Sequence, residues 1–323
     1  MAKLTYRQAL NQAMREEMRR DPDIFLIGEE VAQYDGAYKV SEGLLQEFGP
    51  KRVVDTPISE EVIAGLGIGA AMTGLRPIVE MMTINFALLA MDQIVNHAAK
   101  LRYMSGGQIS IPLVVRAPQG AGMQLGAQHS QSLEAWFVHV PGLKVVTPAN
   151  AYDAKGLLKS AIRDNNPVVF LEHELLYGAR GEVPEDDYTI PLGVADVKRT
   201  GTDVTIVSYS RMVTVSLNAA VTLESQGISA EVIDLRTLKP MDIETVVESL
   251  KKTHHLIMVE EDHSPCGTGA EVVAQLQELA FDYLDAPMLR VAAKDVPMPY
   301  AKNLELSALP NKQSVIDAVL RTL

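Results

Sequence analysis

The pattern of apolar runs in this chain predicts an α/β fold divided into two successive domains. Two observations carry that prediction. Short β-branched or apolar runs alternate with helical patterns between residues 24 and 172, which suits a mainly parallel sheet buried on both faces. The alternation breaks near Gly178, in the polar, acidic, proline-containing stretch GARGEVPEDDYTIPLG, and resumes at Val204. The domains are therefore placed at 1–185 and 201–323, with 186–200 as linker. A length of 323 residues accommodates two ordinary domains, and 47% hydrophobic residues supply their cores.

The elements follow in order. Thr5 and Gln8 can form a capping box, after which Tyr6, Leu10, Ala13, Met14 and Met18 share one helical face. Asp21-Pro22 ends that helix, and 24–27 is a short buried strand. Strands are expected at 78–82, 112–116, 144–147 and 168–172, and helices at 60–74, 86–104 and 151–163. In the second domain, strands at 204–209, 231–235, 256–260 and 288–292 alternate with helices. Met212, Val215, Ala219 and Leu223 mark the first of these helices, with Gly227 as its stop signal, and a last helix ends the chain.

Composition excludes several functions. A net charge of −12 argues against a nucleic-acid surface, which needs clustered Lys and Arg. The single cysteine, Cys266, can build neither a disulfide framework nor a multi-cysteine metal site. The N-terminus lacks the continuous apolar core of a signal peptide, and the most apolar stretch, 62–75, is shorter than the ~20 residues that span a bilayer. These features lead to the expectation of a cytoplasmic, bacterial protein, with an organelle matrix or stroma as the alternative.

Three segments carry candidate chemistry. In DTPISEEVIAGLGIGAAMTG, Gly65, Gly67 and Gly69 lie inside a helical pattern and not in the turn after a strand, so close helix packing explains them better than a nucleotide fingerprint. Glu60 and Glu61 open that helix. Acid there is favoured by ~0.3–1 kcal/mol, and a partly buried carboxyl at the same place can hydrogen-bond a ring nitrogen. His129 lies in the polar loop QLGAQHSQS, where it can do acid–base work or serve as a helix-capping residue. Met82 and Phe86, in EMMTINFALL, read as core residues.

Taken together, DTPISE, MTINFALLAMDQIVNHAAKLRYMSGG, QHSQS, VPGLKVV, AKGLLKSAIRDNNPV, EVIDLRTLKPMD and DVPMPY resemble one family along nearly the whole chain. It comprises the beta subunits of the first, thiamine diphosphate-dependent component of 2-oxo acid dehydrogenase complexes: pyruvate, branched-chain 2-oxo acid and acetoin dehydrogenases. The resemblance implies an N-terminal pyrimidine-binding, transketolase-like domain and a C-terminal transketolase-like domain. It implies a heterotetramer of two alpha and two beta chains, with the cofactor at their interfaces. The alpha chain would hold the diphosphate and magnesium through a Gly-Asp-Gly motif that this sequence lacks. A stand-alone transketolase-type enzyme would need that half on the same chain.

Matching motifs assigns residues. Glu60 would hydrogen-bond the aminopyrimidine and favour its imino tautomer, with Met82 and Phe86 packed on the ring. His129 would meet the lipoyl arm and serve the transfer of the acyl group. Backbone carbonyls of Leu113, Ala161 and Ile162, with Asp164 and Asn166, would hold potassium. Asp285 and the C-terminal Leu323 would dock the subunit-binding domain of the dihydrolipoyl acyltransferase core. The motifs lean toward pyruvate as substrate, with oxidative decarboxylation and reductive acetylation of the lipoyl group as the reaction. Branched-chain 2-oxo acids and acetoin are the alternatives.

Overall fold

The computed structural model describes residues 1–323. The chain forms two compact units: Met1–Gln119 with Trp136–Leu192, and Gly120–Ala135 with Gly193–Leu323.

The first unit holds strands β1 (Ala2–Thr5), β2 (Ile24–Gly28), β3 (Val53–Asp55), β4 (Arg76–Glu80), β5 (Val114–Gln119), β6 (Lys144–Val146), β7 (Val168–His173) and β8 (Arg180–Val183). Six of them form a parallel sheet in the order β6-β7-β5-β4-β2-β3. Helix α1 (Tyr6–Arg20) starts with the expected capping box between Thr5 and Gln8. Its apolar stripe, Tyr6, Leu10, Ala13, Met14 and Met18, packs with Leu157, Leu158, Ala161 and Ile162 of a later helix, Ala151–Arg163. Both cover the sheet face presented by Leu26, Ile78, Val114 and Phe170. Side chains alternate along a strand, so Val79 points to the other face. There it meets helix Glu60–Met72: a Cβ added to Gly67 would lie 2.4 Å from Val79 Cγ2. Gly67 is thus glycine because the helix lies against the strand, whereas a Cβ at Gly69 would meet nothing within 4 Å.

In chain order the remaining helices of this unit are α2 (Leu44–Phe48), α3 (Glu60–Met72), α4 (Leu101–Met104), α5 (Glu134–Val138) and α6 (Ala151–Arg163), α5 starting just before the chain returns to the unit. The single helix expected over 86–104 is instead a 3₁₀ stretch (Ile84–Ala90), a π-helical stretch (Gln93–Ala98) and α4. Buried Ala87, Ala90, Ile94 and Ala98 keep spacings of three or four, which the three windings share, so the apolar pattern does not tell them apart. Two short strands were also invisible to periodicity. β1 precedes α1 and pairs antiparallel with β8, which lies in the polar stretch after Gly178.

The second unit holds β9 (Asp196–Arg199), β10 (Val204–Ser208), β11 (Ala230–Asp234), β12 (Thr237–Lys239), β13 (Leu256–His263) and β14 (Leu289–Ala293). Its sheet runs β14-β13-β10-β11-β9, parallel except for the edge strand β9. β9 lies within 186–200, the segment expected as linker. The helices are α7 (Arg211–Glu224), α8 (Ile243–Thr253), α9 (Thr268–Ala280), α10 (Lys302–Ala308) and α11 (Lys312–Leu320). Val204, Ile206, Met212, Ala219, Leu223, Ile257, Val259, Val315 and Val319 form its core.

Candidate active site

In an open parallel sheet, ligands gather beyond the carboxyl ends of the strands, where neighbouring connections run in opposite directions. β2 connects to β3 on one side and β4 to β5 on the other, so that point lies between β2 and β4. The residues just past these strands are Glu29 after β2 and Met81, Met82 and Thr83 after β4. Glu60 begins α3, on the connection from β3 to β4.

Glu29 and Glu60 are both buried, and Glu29 Oε1 has no hydrogen-bond partner. Burial, then the charge of Glu60 and a hydrogen bond with it, raise the Glu29 pKa above its ordinary value. Like charge beside a buried carboxyl disfavours its ionised form. Met82 and Phe86 are half-buried, and the 84–90 stretch that carries Phe86 packs on α3. Gln93 Nε2 donates to Glu61 Oε1 at 3.3 Å, tying the following stretch to the same helix start. The set is a buried carboxyl pair with an unmet hydrogen-bonding oxygen and apolar neighbours on the adjoining connection. That set fits a nitrogen heterocycle. Glu29 escaped the sequence reading; its only signal was a carboxyl directly after a predicted strand.

Beside this crevice the strand ends carry a buried ion cluster. Arg116 on β5 bonds Glu172 on β7, Nε to Oε1 at 2.7 Å, and also pairs with Glu80 on β4. Tyr177 donates to Glu172 at 2.7 Å. Burial opposes the Arg116 charge, but Glu172 and Glu80 outweigh it and drive the guanidinium pKa up.

His129 lies in the second unit, exposed in a loop whose N–H turns back to the Gly126 carbonyl at 3.3 Å. Its neighbour Glu134 is buried, and Tyr209 donates to it at 2.8 Å. Burial first, and then the charge of Asp262, push the Glu134 carboxyl up to about 8.

Residues 2–180 match the family "Transketolase, pyrimidine binding domain", and residues 193–315 match "Transketolase, C-terminal domain". The chain is 60% identical to "Pyruvate dehydrogenase E1 component subunit beta" of Rhizobium meliloti (strain 1021), over 99% of this chain and 70% of that protein. It is 56% identical to the protein of that name in Rickettsia conorii, over 98% and 97%, and 55% identical to the mitochondrial one of Bos taurus, over 99% and 90%. The chain belongs to the family of pyruvate dehydrogenase E1 beta subunits. It is accordingly a component of a thiamine diphosphate-dependent 2-oxo acid dehydrogenase. Among solved structures, a "split gene transketolase, inactive beta4 tetramer" superposes with a TM-score of 0.82 at 27% identity, covering 99% of this chain and 98% of that one.

For a pyruvate dehydrogenase E1 beta-family chain, the remaining expected residues fall as follows. Leu113 precedes β5, and its carbonyl accepts the Val168 N–H at 2.8 Å. Ala161 and Ile162 end α6, with Asp164 and Asn166 just beyond. Arg76 Nη2 donates to the carbonyls of Ile162 and Asp164, both at 2.7 Å, Lys144 pairs with the Asp164 carboxylate, and Arg102 donates to Asn166 Oδ1 at 2.7 Å. Arg76 gathers the Ile162 and Asp164 carbonyls, and a cation there would compete with three protein cations. Asp285 is exposed, its N–H on the His254 carbonyl at 3.1 Å, and Leu323 is exposed after α11, so the two lie on different elements. Among the described residues no group of three or more His, Cys, Asp or Glu side chains could hold a metal ion, and no helix is long and apolar enough to cross a membrane.

Proposed function

We propose that this chain supplies the aminopyrimidine half of a thiamine diphosphate site in a pyruvate dehydrogenase, and works only with an alpha chain. The alpha chain contributes the diphosphate-binding half and magnesium, in an assembly of two alpha and two beta chains. The observation that carries the reading is the buried Glu29–Glu60 pair at the strand-end crevice. When bound, thiamine diphosphate supplies the electron sink that decarboxylation of a 2-oxo acid requires. Glu60 places a carboxyl oxygen toward a ring nitrogen, and the Glu29 carboxyl, its pKa raised, stands beside it. Met82 and Phe86 present apolar surface to the heterocycle and exclude water.

His129 serves the next step. As the lipoyl disulfide opens, one sulfur takes the acyl group, and the electron pair left by decarboxylation reduces the disulfide. His129 delivers a proton to the departing sulfur. Asp285 and Leu323 are exposed as a docking site for the dihydrolipoyl acyltransferase core requires. A potassium ion at Leu113, Ala161, Ile162, Asp164 and Asn166 would order the loop after α6.

Glu60→Gln in the complex reconstituted with alpha is the test. Loss of the Glu60 carboxyl group should lower turnover of pyruvate by roughly 100- to 10,000-fold. Full activity would mean that the chain only docks on the complex. Calorimetric titration with thiamine diphosphate and magnesium should show tight binding only after alpha is added; tight binding by this chain alone would favour a self-sufficient, transketolase-like enzyme. Comparing turnover of pyruvate, a branched-chain 2-oxo acid and acetoin decides the substrate. A preference for either of the last two removes the pyruvate assignment.

A further inference from the structure

The loop that presents His129 is fastened at its base by carboxylates of the second unit. Gly120 N–H donates to the Gln131 carbonyl at 3.2 Å and closes 120–131 into one loop. Ala121 is buried with Met298, Ala308 and Leu309, and its N–H donates to Glu261 Oε1 at 2.8 Å. The N–H groups of Gly122 and Gln124 both donate to Glu305 Oε1, at 2.9 and 3.1 Å. Glu305, on α10, is 0% exposed, and its Oε2 has no hydrogen-bond partner.

The backbone so held is one that a free loop would not keep. Gln124 has φ +60°, in the left-handed region that a non-glycine residue seldom adopts, and Gly122 and Gly126 flank it at +112° and +79°. Two amides on one buried carboxylate oxygen are charge-assisted bonds, stronger than amide–carbonyl bonds. Tyr300 Cδ2 lies 3.6 Å from where a Gly126 Cβ would stand. His129 hangs from the Gly126 carbonyl, so a shift at Gln124 reaches its imidazole through two short turns. Met123, Leu125 and His129 remain exposed at the tip. A reactive side chain on an exposed tip needs a rigid base, and here the base is a pair of buried acids remote in sequence.

We infer that Glu305, assisted by Glu261, is a positioning residue for His129, so that the second unit sets the acyl-transfer half of the reaction. This rests on the reading of His129 given above. The test uses the complex reconstituted with alpha and two separate assays: pyruvate decarboxylation coupled to 2,6-dichlorophenolindophenol, and reductive acetylation of a free lipoyl domain.

Glu305→Ala should lower kcat for acetylation about 100-fold, the scale of a 1 Å misplacement, and leave the dye-coupled rate within about threefold. Glu305→Gln, whose carboxamide oxygen can accept the same two bonds, should recover most of the acetylation rate. If the alanine variant does not assemble with alpha, Glu305→Asp, which keeps the charge but shortens the reach, should show the same selective loss. Equal loss in both assays, or undiminished acetylation, overturns the inference. His129→Ala separates the two readings. If it spares acetylation, the assignment of His129 fails; if it impairs acetylation while the Glu305 variants do not, only the positioning role fails.

Discussion

The two units bury charge at the ends of parallel strands in different ratios. In the first, Glu80 and Glu172 close on Arg116, which bonds both. In the second, Glu134, Glu260 and Asp262 act on one another, and Arg290 bonds Glu260, Nη2 to Oε1 at 2.6 Å. Burial acts on both clusters alike, so the number of cations per carboxyl decides the outcome. The first cluster stabilises its guanidinium charge. The second lifts Glu134 to about 8 and, by burial first, Asp262 to about 6. In the first cluster burial also raises the Glu80 carboxyl against the pull of Arg116, while the second, with Glu134 at about 8 and Asp262 at about 6, is the one placed to titrate about neutrality.

Removing the shared cation would test the first half of that comparison most severely. Arg116→Met strands two buried carboxylates and should cost about 3–5 kcal/mol, read as a fall in thermal stability. Replacing Glu80, Arg116 and Glu172 together by apolar residues should be nearly neutral. A small loss in the single variant would show that water reaches the cluster.

A smaller effect should follow from pH in the second unit. Glu134 carries a pKa of about 8 in the folded chain against an ordinary 4.5. Between those values the native state holds a proton that the unfolded chain has released. Its contribution is complete below 4.5 and is lost as pH rises through about 8. Hydrogen exchange in β10 and β13, corrected for the chemical rate, should therefore accelerate from about pH 5 to about pH 8 more than in β4 and β5. Glu134→Gln should flatten that trend, and equal slopes in both units would break the contrast.

The smallest effects should be equal in the two units. Thr5→Ala and Asn311→Ala each delete the capping box of one helix, α1 and α11. Each should cost about 1 kcal/mol by chemical denaturation, because a cap acts through its own helix end. A large inequality would mean that one cap does more than end a helix.

Much of this architecture was legible in the residues. The capping box at Thr5, the apolar stripe of α1 and the β-branched runs of β4, β7 and β10 follow from local sterics and from burial at fixed period. Motif resemblance singled out Glu60, His129, Met82 and Phe86, though their roles come from the family and not from periodicity. β1 and β8 were hidden because each pairs only with the other, 175 or more residues away, and neither shows a buried alternation. The winding of 84–104 was hidden because three kinds of helix share one apolar spacing.

What the sequence determined by itself was the class of most elements, the division into two α/β units and the family, since these rest on local preferences and long motifs. What only the tertiary structure decided was which acids meet. Glu29 faces Glu60 because two strand connections converge, and Glu305 reaches Gly122 and Gln124 across more than 180 residues of chain. A carboxyl's neighbours, and with them its charge and its task, are fixed by distances in space, and no local pattern encodes those.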